Sequence, residues 1–208
     1  MRECINISEI AALKPDFMGF IFYLKSPRFV GALEDEMVQY AKSQGIEPVA
    51  VFVNAALMTM IQIVDLYGFT HIQLHGNETP DICKALKEKG VKVLKAFSIA
   101  DLSDLEAVKA YDQCCDYFLF DTKTSIHGGS GFQFDWNILN AYSGSTPFFL
   151  SGGIGPDDVE KIRNFDHPLL FGIDVNSRFE TQPAQKDAAL LKKFIDQLIP
   201  KNQESDAK

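Results

Sequence analysis

The sequence predicts an α/β fold in which a parallel sheet closes into a (β/α) barrel. Three observations carry that prediction. Short apolar, β-rich runs alternate with longer amphipathic segments along the 208 residues. Runs such as "FFLS" and "LLFGI" are continuously apolar rather than alternating, which marks strands covered on both faces. Polar residues capable of chemistry recur after nearly every run, as they do around a barrel, rather than at a single switch point. Helix-sized connections between the strands require parallel pairing. A doubly wound sheet is the competing arrangement, but no G-x-G-x-x-G follows the first strand.

The chain opens with a helical segment over Ile7 to Leu13, and the first strand runs from Phe17 to Tyr23. A helix at Leu33 to Ser43 leads to the strand Pro48 to Phe52, and a second at Ala56 to Tyr67 leads to His71 to Leu74. The helix Pro80 to Lys89 precedes the strand Lys92 to Ala96, and the helix Leu102 to Tyr111 precedes Tyr117 to Phe120. Helices at Trp136 to Ala141 and Pro156 to Asn164 flank the strand Phe148 to Ser151; the last strand, Leu169 to Val175, is followed by a helix from Asp187 to Leu198. That is seven strands where the barrel has eight, and the opening helix places the missing first β-strand ahead of Met1.

Composition narrows the function. With 46% hydrophobic residues and no internal linker, residues 1–199 are expected to form a single domain, and the polar tail "KNQESDAK" with its preceding proline, 200–208, to be disordered. A net charge of -8, with Lys and Arg scattered, excludes a phosphate-rich polymer such as nucleic acid as partner. The longest apolar run, Phe17 to Leu24, falls well short of the ~20 residues that span a bilayer, and no signal peptide is apparent. A cytoplasmic protein with no membrane partner is expected. Cys4, Cys83, Cys114 and Cys115 lack C-x-x-C spacing and are read as free thiols rather than metal ligands.

The chemistry is expected in the segments after the strands. In "LFDTKTSIHGGSGFQFDW", Asp121 ends an apolar strand and precedes a loop with Gly128, Gly129 and Gly131, so a partly desolvated carboxyl suited to proton donation is expected there. In "FLSGGIGPDDVEKI", Gly152 and Gly153 follow a strand and Pro156 opens a helix, so backbone N–H groups and a positive helix end can face a small phosphate. Asp174, Asn176 and Ser177 in "FGIDVNSRFE" offer a second wall of the same site. Arg28 in "YLKSPRFVG" can hold a carboxylate through two parallel hydrogen bonds. His71, Gln73 and His75 share one strand face at period two, so that only His75 reaches the top of the barrel. Without carboxylate partners nearby these histidines do not read as a metal site.

The stretches "GFIFYLKSPRFV", "VFVN", "IQLHGNE", "KAF", "LFDT", "GGSGFQFDW", "LSGGI" and "GIDVNSRFE" run in order from Gly19 to Glu180, and together they resemble the phosphoribosylanthranilate isomerases of tryptophan biosynthesis. The resemblance implies a TIM barrel and an isomerase that converts the aminoaldose N-(5-phosphoribosyl)anthranilate into its aminoketose by an Amadori rearrangement, without metal or organic cofactor, as a monomer or homodimer. It implies Asp121 as the general acid that opens the furanose, Arg28 as the clamp for the anthranilate carboxylate, His75 as a substrate-binding residue, and Gly152, Gly153, Asp174, Asn176 and Ser177 as the phosphate cradle. It also implies a Lys-x-Cys-Gly strand directly before Met1, whose cysteine is the general base; that cysteine is not among the 208 residues, and Cys4 is not assigned its role. The alternative is a catalytically silent barrel that binds a phosphosugar. Leu24 and Arg178 depart from the family pattern, the first where proline is common and the second where glycine often stands.

Overall fold

The computed structural model describes residues 1–123 and 133–199. The glycine loop with Gly128, Gly129 and Gly131, and the tail 200–208, therefore lie outside the described residues. Helix α1 (Cys4–Ala11) leads into β1 (Phe17–Ile21), and the chain continues as α2 (Asp35–Ser43), β2 (Glu47–Phe52), α3 (Leu57–Tyr67), β3 (His71–Leu74), α4 (Pro80–Glu88), β4 (Lys92–Ile99), α5 (Asp104–Val108) and β5 (Tyr117–Thr122). It ends with β6 (Phe148–Leu150), α6 (Val159–Arg163), β7 (Leu170–Ile173), a small hairpin of β8 (Glu180–Gln182) and β9 (Gln185–Lys186), and α7 (Ala188–Leu198).

Strands β1 to β7 form one sheet in sequence order, and every neighbouring pair is parallel. Each crossover carries a helix or helical turn across the outer face, as parallel pairing demands. The sheet curls so that side chains of its first and last strands meet inside it: the ring of Phe17 on β1 lies 5.5 Å from Phe149 on β6 and 6.4 Å from Phe171 on β7. Phe171 is the extra residue of a bulge, since Phe148 pairs with Leu170 and Phe149 with Gly172. Alternation then sorts the side chains into two cores. Leu94, Ala96, Leu119 and Phe149 fill the barrel, with Phe17 and Tyr117 packed on them. The larger core lies between sheet and helices, where Phe20, Phe52, Phe118, Phe120 and Phe148 are fully buried.

Among the described residues β1 and β7 are not paired with each other, and contacts outside the ladder join them. The amino group of Met1 donates to the Gly19 carbonyl at 2.7 Å on β1. On the other side, the Asn6 side chain pairs with the backbone of Lys186, donating to its carbonyl at 2.8 Å and accepting its N–H at 2.7 Å. An ion pair between Arg28 and Glu180 spans the same junction at the top.

The predicted strands are all present. The differences lie in the helices, three of which are shorter or tighter than predicted. The segment Leu102 to Tyr111 is α5 plus a 3-10 turn, Lys109–Tyr111; Trp136–Ala141 is wholly 3-10; and Pro156–Asp158 is a 3-10 turn ahead of the five-residue α6. These helical segments are only three to six residues long, too short for a cooperative α-helix, and tighter turns suffice to bury one or two anchors. Trp136 is such an anchor, buried against Phe165 at 6.0 Å and covered by the Lys161 ammonium at 3.7 Å. The β8–β9 hairpin has no counterpart among the predicted elements, because "ETQPAQK" carries no apolar alternation.

One buried ion pair fixes two of the upper loops. Lys95 on β4, 3% exposed at its side chain, donates to the carbonyls of Leu74 (3.2 Å), Gly76 (2.7 Å) and Ala96 (2.9 Å). Its ammonium stands 3.5 Å from Glu78, which in turn accepts the N–H groups of Asn54 at 2.7 Å and Gly76 at 2.9 Å. Burial lowers the Lys95 pKa, and the Glu78 carboxylate opposes that shift. Removing the carboxylate strands a cation in the core. Glu78→Ala is therefore expected to destabilise the fold by about 3 kcal/mol. Lys84→Ala, which removes the exposed 3.9 Å pair with Asp81, should change stability by less than about 0.5 kcal/mol. Urea unfolding of the two variants checks the contrast, and equal midpoints would contradict it.

Candidate active site

The side chains that point into the barrel at odd positions of β3 and β5 continue past the strand ends onto its upper rim. His75, just beyond β3, and Asp121, near the end of β5, meet there with Nε2 and Oδ2 3.3 Å apart. Their side chains are 34% and 29% exposed, so each is reachable by a ligand and still partly desolvated. Gln73, one alternation below, donates its amide to Nδ1 of His75 at 2.8 Å. That bond leaves the neutral ring's proton on Nε2, aimed at Asp121. The other oxygen of Asp121 accepts the N–H of Thr122 at 2.8 Å. From the neighbouring strands, Ser151 after β6 donates to Asp174 after β7 at 2.9 Å. Burial raises the Asp174 pKa, the Ser151 bond opposes this, and the charge of Asp121 adds to the rise. The rim thus holds two carboxyl groups and an imidazole within mutual electrostatic reach.

Gly152 and Gly153 take positive φ, 88° and 69°. For Gly152 the requirement is steric as well, since a Cβ there would lie 2.3 Å from Oγ1 of Thr122, 2.4 Å from its backbone nitrogen and 3.0 Å from Asp121. Thr122 fastens this approach by donating to the Gly152 carbonyl at 3.3 Å and accepting the N–H of Phe134 at 3.2 Å. Gln133 adds a second tie, to the Gly153 carbonyl at 3.1 Å and to Asp158 at 2.6 Å. The helix end expected to face an anion differs from its prediction: the turn at Pro156 is 3-10, and Asp158 accepts the N–H of Gly155 at 2.7 Å with its own carboxylate. The positive end is thereby occupied from within the chain.

Arg28 lies across the rim in the loop after β1. Its Nε and Nη2 fork onto Glu180 at 3.0, 2.9 and 2.6 Å. Glu180 also accepts Lys186 at 2.9 Å and the N–H of Ala184 at 3.2 Å. Burial pushes the Glu180 carboxyl up, but the bonds from Arg28 and Lys186 more than offset this and hold it below its usual range. Lys186 further reaches Asn176, which is exposed, and Ser177 opens a 3-10 turn beside it. The next residue, Arg178, lays its guanidinium against Gly155: a Cβ on that glycine would meet Nε at 3.1 Å.

The structure therefore gathers His75, Asp121, Gly152, Gly153 and Asp174 closely, and sets Arg28 and Asn176 around Lys186 and Glu180, with Ser177 opening the turn next to Asn176. Sequence reasoning does not find Thr122, Gln133, Glu180 and Lys186. Glu180 pairs with an arginine 152 residues away, which no local spacing reveals. Of the cysteines, Cys4 is exposed at the start of α1, and Cys83, Cys114 and Cys115 are buried.

Gly152→Ala is expected to lose about 2 kcal/mol of stability from its left-handed backbone alone. The clash with Thr122 should displace Asp121 as well, so that the surviving folded protein binds inorganic phosphate and any phosphosugar more weakly. Thermal melting with a phosphate titration checks both, and native stability in the Gly152→Ala variant would contradict the close approach.

Comparison with known proteins relates this chain to one enzyme family. The model of the N-(5'phosphoribosyl)anthranilate (PRA) isomerase family matches residues 2–197. The N-(5'-phosphoribosyl)anthranilate isomerase of Parabacteroides distasonis is 48% identical over 201 residues, covering 96% of this chain and 90% of that protein. The crystal structure of phosphoribosyl anthranilate isomerase from Thermotoga maritima superposes with a TM-score of 0.81 at 28% identity, covering 95% of each chain. A crystal structure of phosphoribosyl anthranilate isomerase in complex with reduced 1-(o-carboxyphenylamino)-1-deoxyribulose 5-phosphate has a TM-score of 0.79 at 25% identity, covering 95% of this chain and 94% of that one. By its sequence and its fold, this chain belongs to the phosphoribosylanthranilate isomerase family.

Proposed function

We propose that this protein isomerises N-(5'-phosphoribosyl)anthranilate to 1-(2-carboxyphenylamino)-1-deoxyribulose 5-phosphate, a step of tryptophan biosynthesis, in the cytoplasm. Family membership supports the reaction, and the observation that carries it to particular atoms is the pairing of Asp121 with His75 at the rim. No helix among the described residues is long and apolar enough to cross a membrane.

Asp121 in its acid form gives a proton to the furanose ring oxygen, and the C1–O bond opens to the Schiff base. The carboxylate left behind is received by two groups already in place, the N–H of Thr122 and Nε2–H of His75. Charge appearing on Asp121 thus meets preset donors and needs no reorganisation of water. Loss of the C2 proton then yields the enamine that becomes the aminoketose. The family resemblance assigns that proton to the cysteine of a Lys-x-Cys-Gly motif, a role not assigned to Cys4, which is exposed, or to the buried Cys83, Cys114 and Cys115. The phosphate lies against Gly152, Gly153 and Ser177, with Asp174 held by Ser151 behind it. Arg178, beside Gly155, adds a cation to that loop. Arg28 takes the anthranilate carboxylate.

Asp121→Asn keeps the shape and removes the proton, so kcat should fall by ~10²-fold or more. Near-normal turnover of phosphoribosylanthranilate by that variant would refute the assignment. Arg178→Ala should raise KM roughly tenfold with kcat retained, the effect of losing one hydrogen bond to a charged group. An unchanged KM would place the Arg178 guanidinium outside the phosphate site.

A further inference from the structure

The clamp residue Arg28 already has a carboxylate on one edge. Its side chain is 12% exposed and that of Glu180 4%. Glu180 takes the side edge of the guanidinium, formed by Nε and Nη2. A guanidinium has a second two-pronged edge, formed by Nη1 and the remaining hydrogen of Nη2. No hydrogen bond engages Nη1 among the described residues. Lys186 stands on the far oxygen of Glu180 at 2.9 Å and is itself held by Asn176. Glu180 is thus shared by Arg28 and Lys186, and the Nη1–Nη2 edge of Arg28 is left for a single incoming carboxylate.

We propose that Glu180, backed by Lys186, is the positioning residue of the carboxylate clamp: it holds one edge of Arg28 so that the Nη1–Nη2 edge faces the carboxylate of the substrate's aromatic amine. This rests on the isomerase reading above. Two long side chains from loops at opposite ends of the chain would otherwise sample many rotamers, and the buried fork removes that freedom before the ligand arrives. Selection for an ortho-carboxylated arylamine then follows from the orientation of Arg28, and the phosphate anchor does not contribute to it.

The experiment uses the whole chain, with the reduced product analogue and inorganic phosphate as separate probes by calorimetry, and phosphoribosylanthranilate for kinetics. Glu180→Gln is expected to weaken the analogue ~10-fold or more, as loss of a charge-assisted contact does, and to change phosphate affinity by less than about twofold. KM should rise by the same factor as the analogue's Kd, with kcat falling far less. In an Arg28→Ala background, Glu180→Gln should have no further effect on the analogue. Equal losses for analogue and phosphate, or the same loss with and without Arg28, would overturn the proposal and make the pair a purely structural tie between β1 and β7. Should Glu180→Gln fail to fold, Glu180→Asp, too short by one methylene to hold the fork, must give the same pattern; native-like analogue binding by a folded Glu180→Asp variant overturns the proposal equally. A wild-type protein that neither turns over phosphoribosylanthranilate nor binds the analogue would instead refute the isomerase reading itself.

Discussion

Because successive side chains of a strand point to opposite faces of the sheet, the register between parallel neighbours decides which residues meet at the barrel's rim. On β3, alternation carries His71, Gln73 and His75 inward; on β5 it carries Tyr117, Leu119 and Asp121. The same periodicity that packs Leu119 and Phe149 into the barrel and Phe118 and Phe148 outside it therefore delivers an imidazole and a carboxyl to one point. A slip of one residue on β5 would bury Asp121 among phenylalanines and turn Phe120 to the rim. Core and site are specified together, and the apolar pattern that stabilises one enforces the other.

Around that point the loops are fastened by polar groups whose satisfaction depends on one another. Glu78 and Lys95 tie the loops after β2 and β3 to β4, Thr122 ties the end of β5 to Gly152, Gln133 reaches Gly153 and Asp158, and Glu180 ties the loop after β7 to Arg28. Each is partly or wholly withdrawn from water, where a lost partner is expensive. The described loops of the rim are thus tied to one another, while Asp121 stays partly exposed. The rim's two proposed anchors differ in chemistry. On that reading the glycine turn approaches a phosphate with its backbone, and Arg28 presents its Nη1–Nη2 edge to a carboxylate.

Much of this is legible in the sequence. Short apolar, β-rich runs identify the seven strands of the barrel sheet, and the strand-then-loop positions of Asp121, Gly152 and Asp174 place them on one rim. Helices are less legible, because Trp136–Ala141 and Pro156–Asp158 carry helix-like patterns and settle into 3-10 turns too short to sustain α-helical bonding. The role of Arg28 is legible only in outline: its capacity for a carboxylate is evident, but the carboxylate it meets is Glu180, whose pairing depends on the closure of β1 toward β7. Asp158 capping Gly155 is likewise invisible, since an acidic residue after Pro156 reads equally as solvated surface.

If the rim works as its geometry implies, one ligand spans the two anchors with Asp121 between them. A crystal structure of this protein with reduced 1-(o-carboxyphenylamino)-1-deoxyribulose 5-phosphate would show this outright. Phosphate should lie against the Gly152–Gly153 turn, the aryl carboxylate on the Nη1–Nη2 edge of Arg28 with Glu180 still on the opposite edge, and Asp121 within hydrogen-bonding distance of the sugar chain. A ligand whose carboxylate displaces Glu180, or whose phosphate binds away from Gly152, would contradict it.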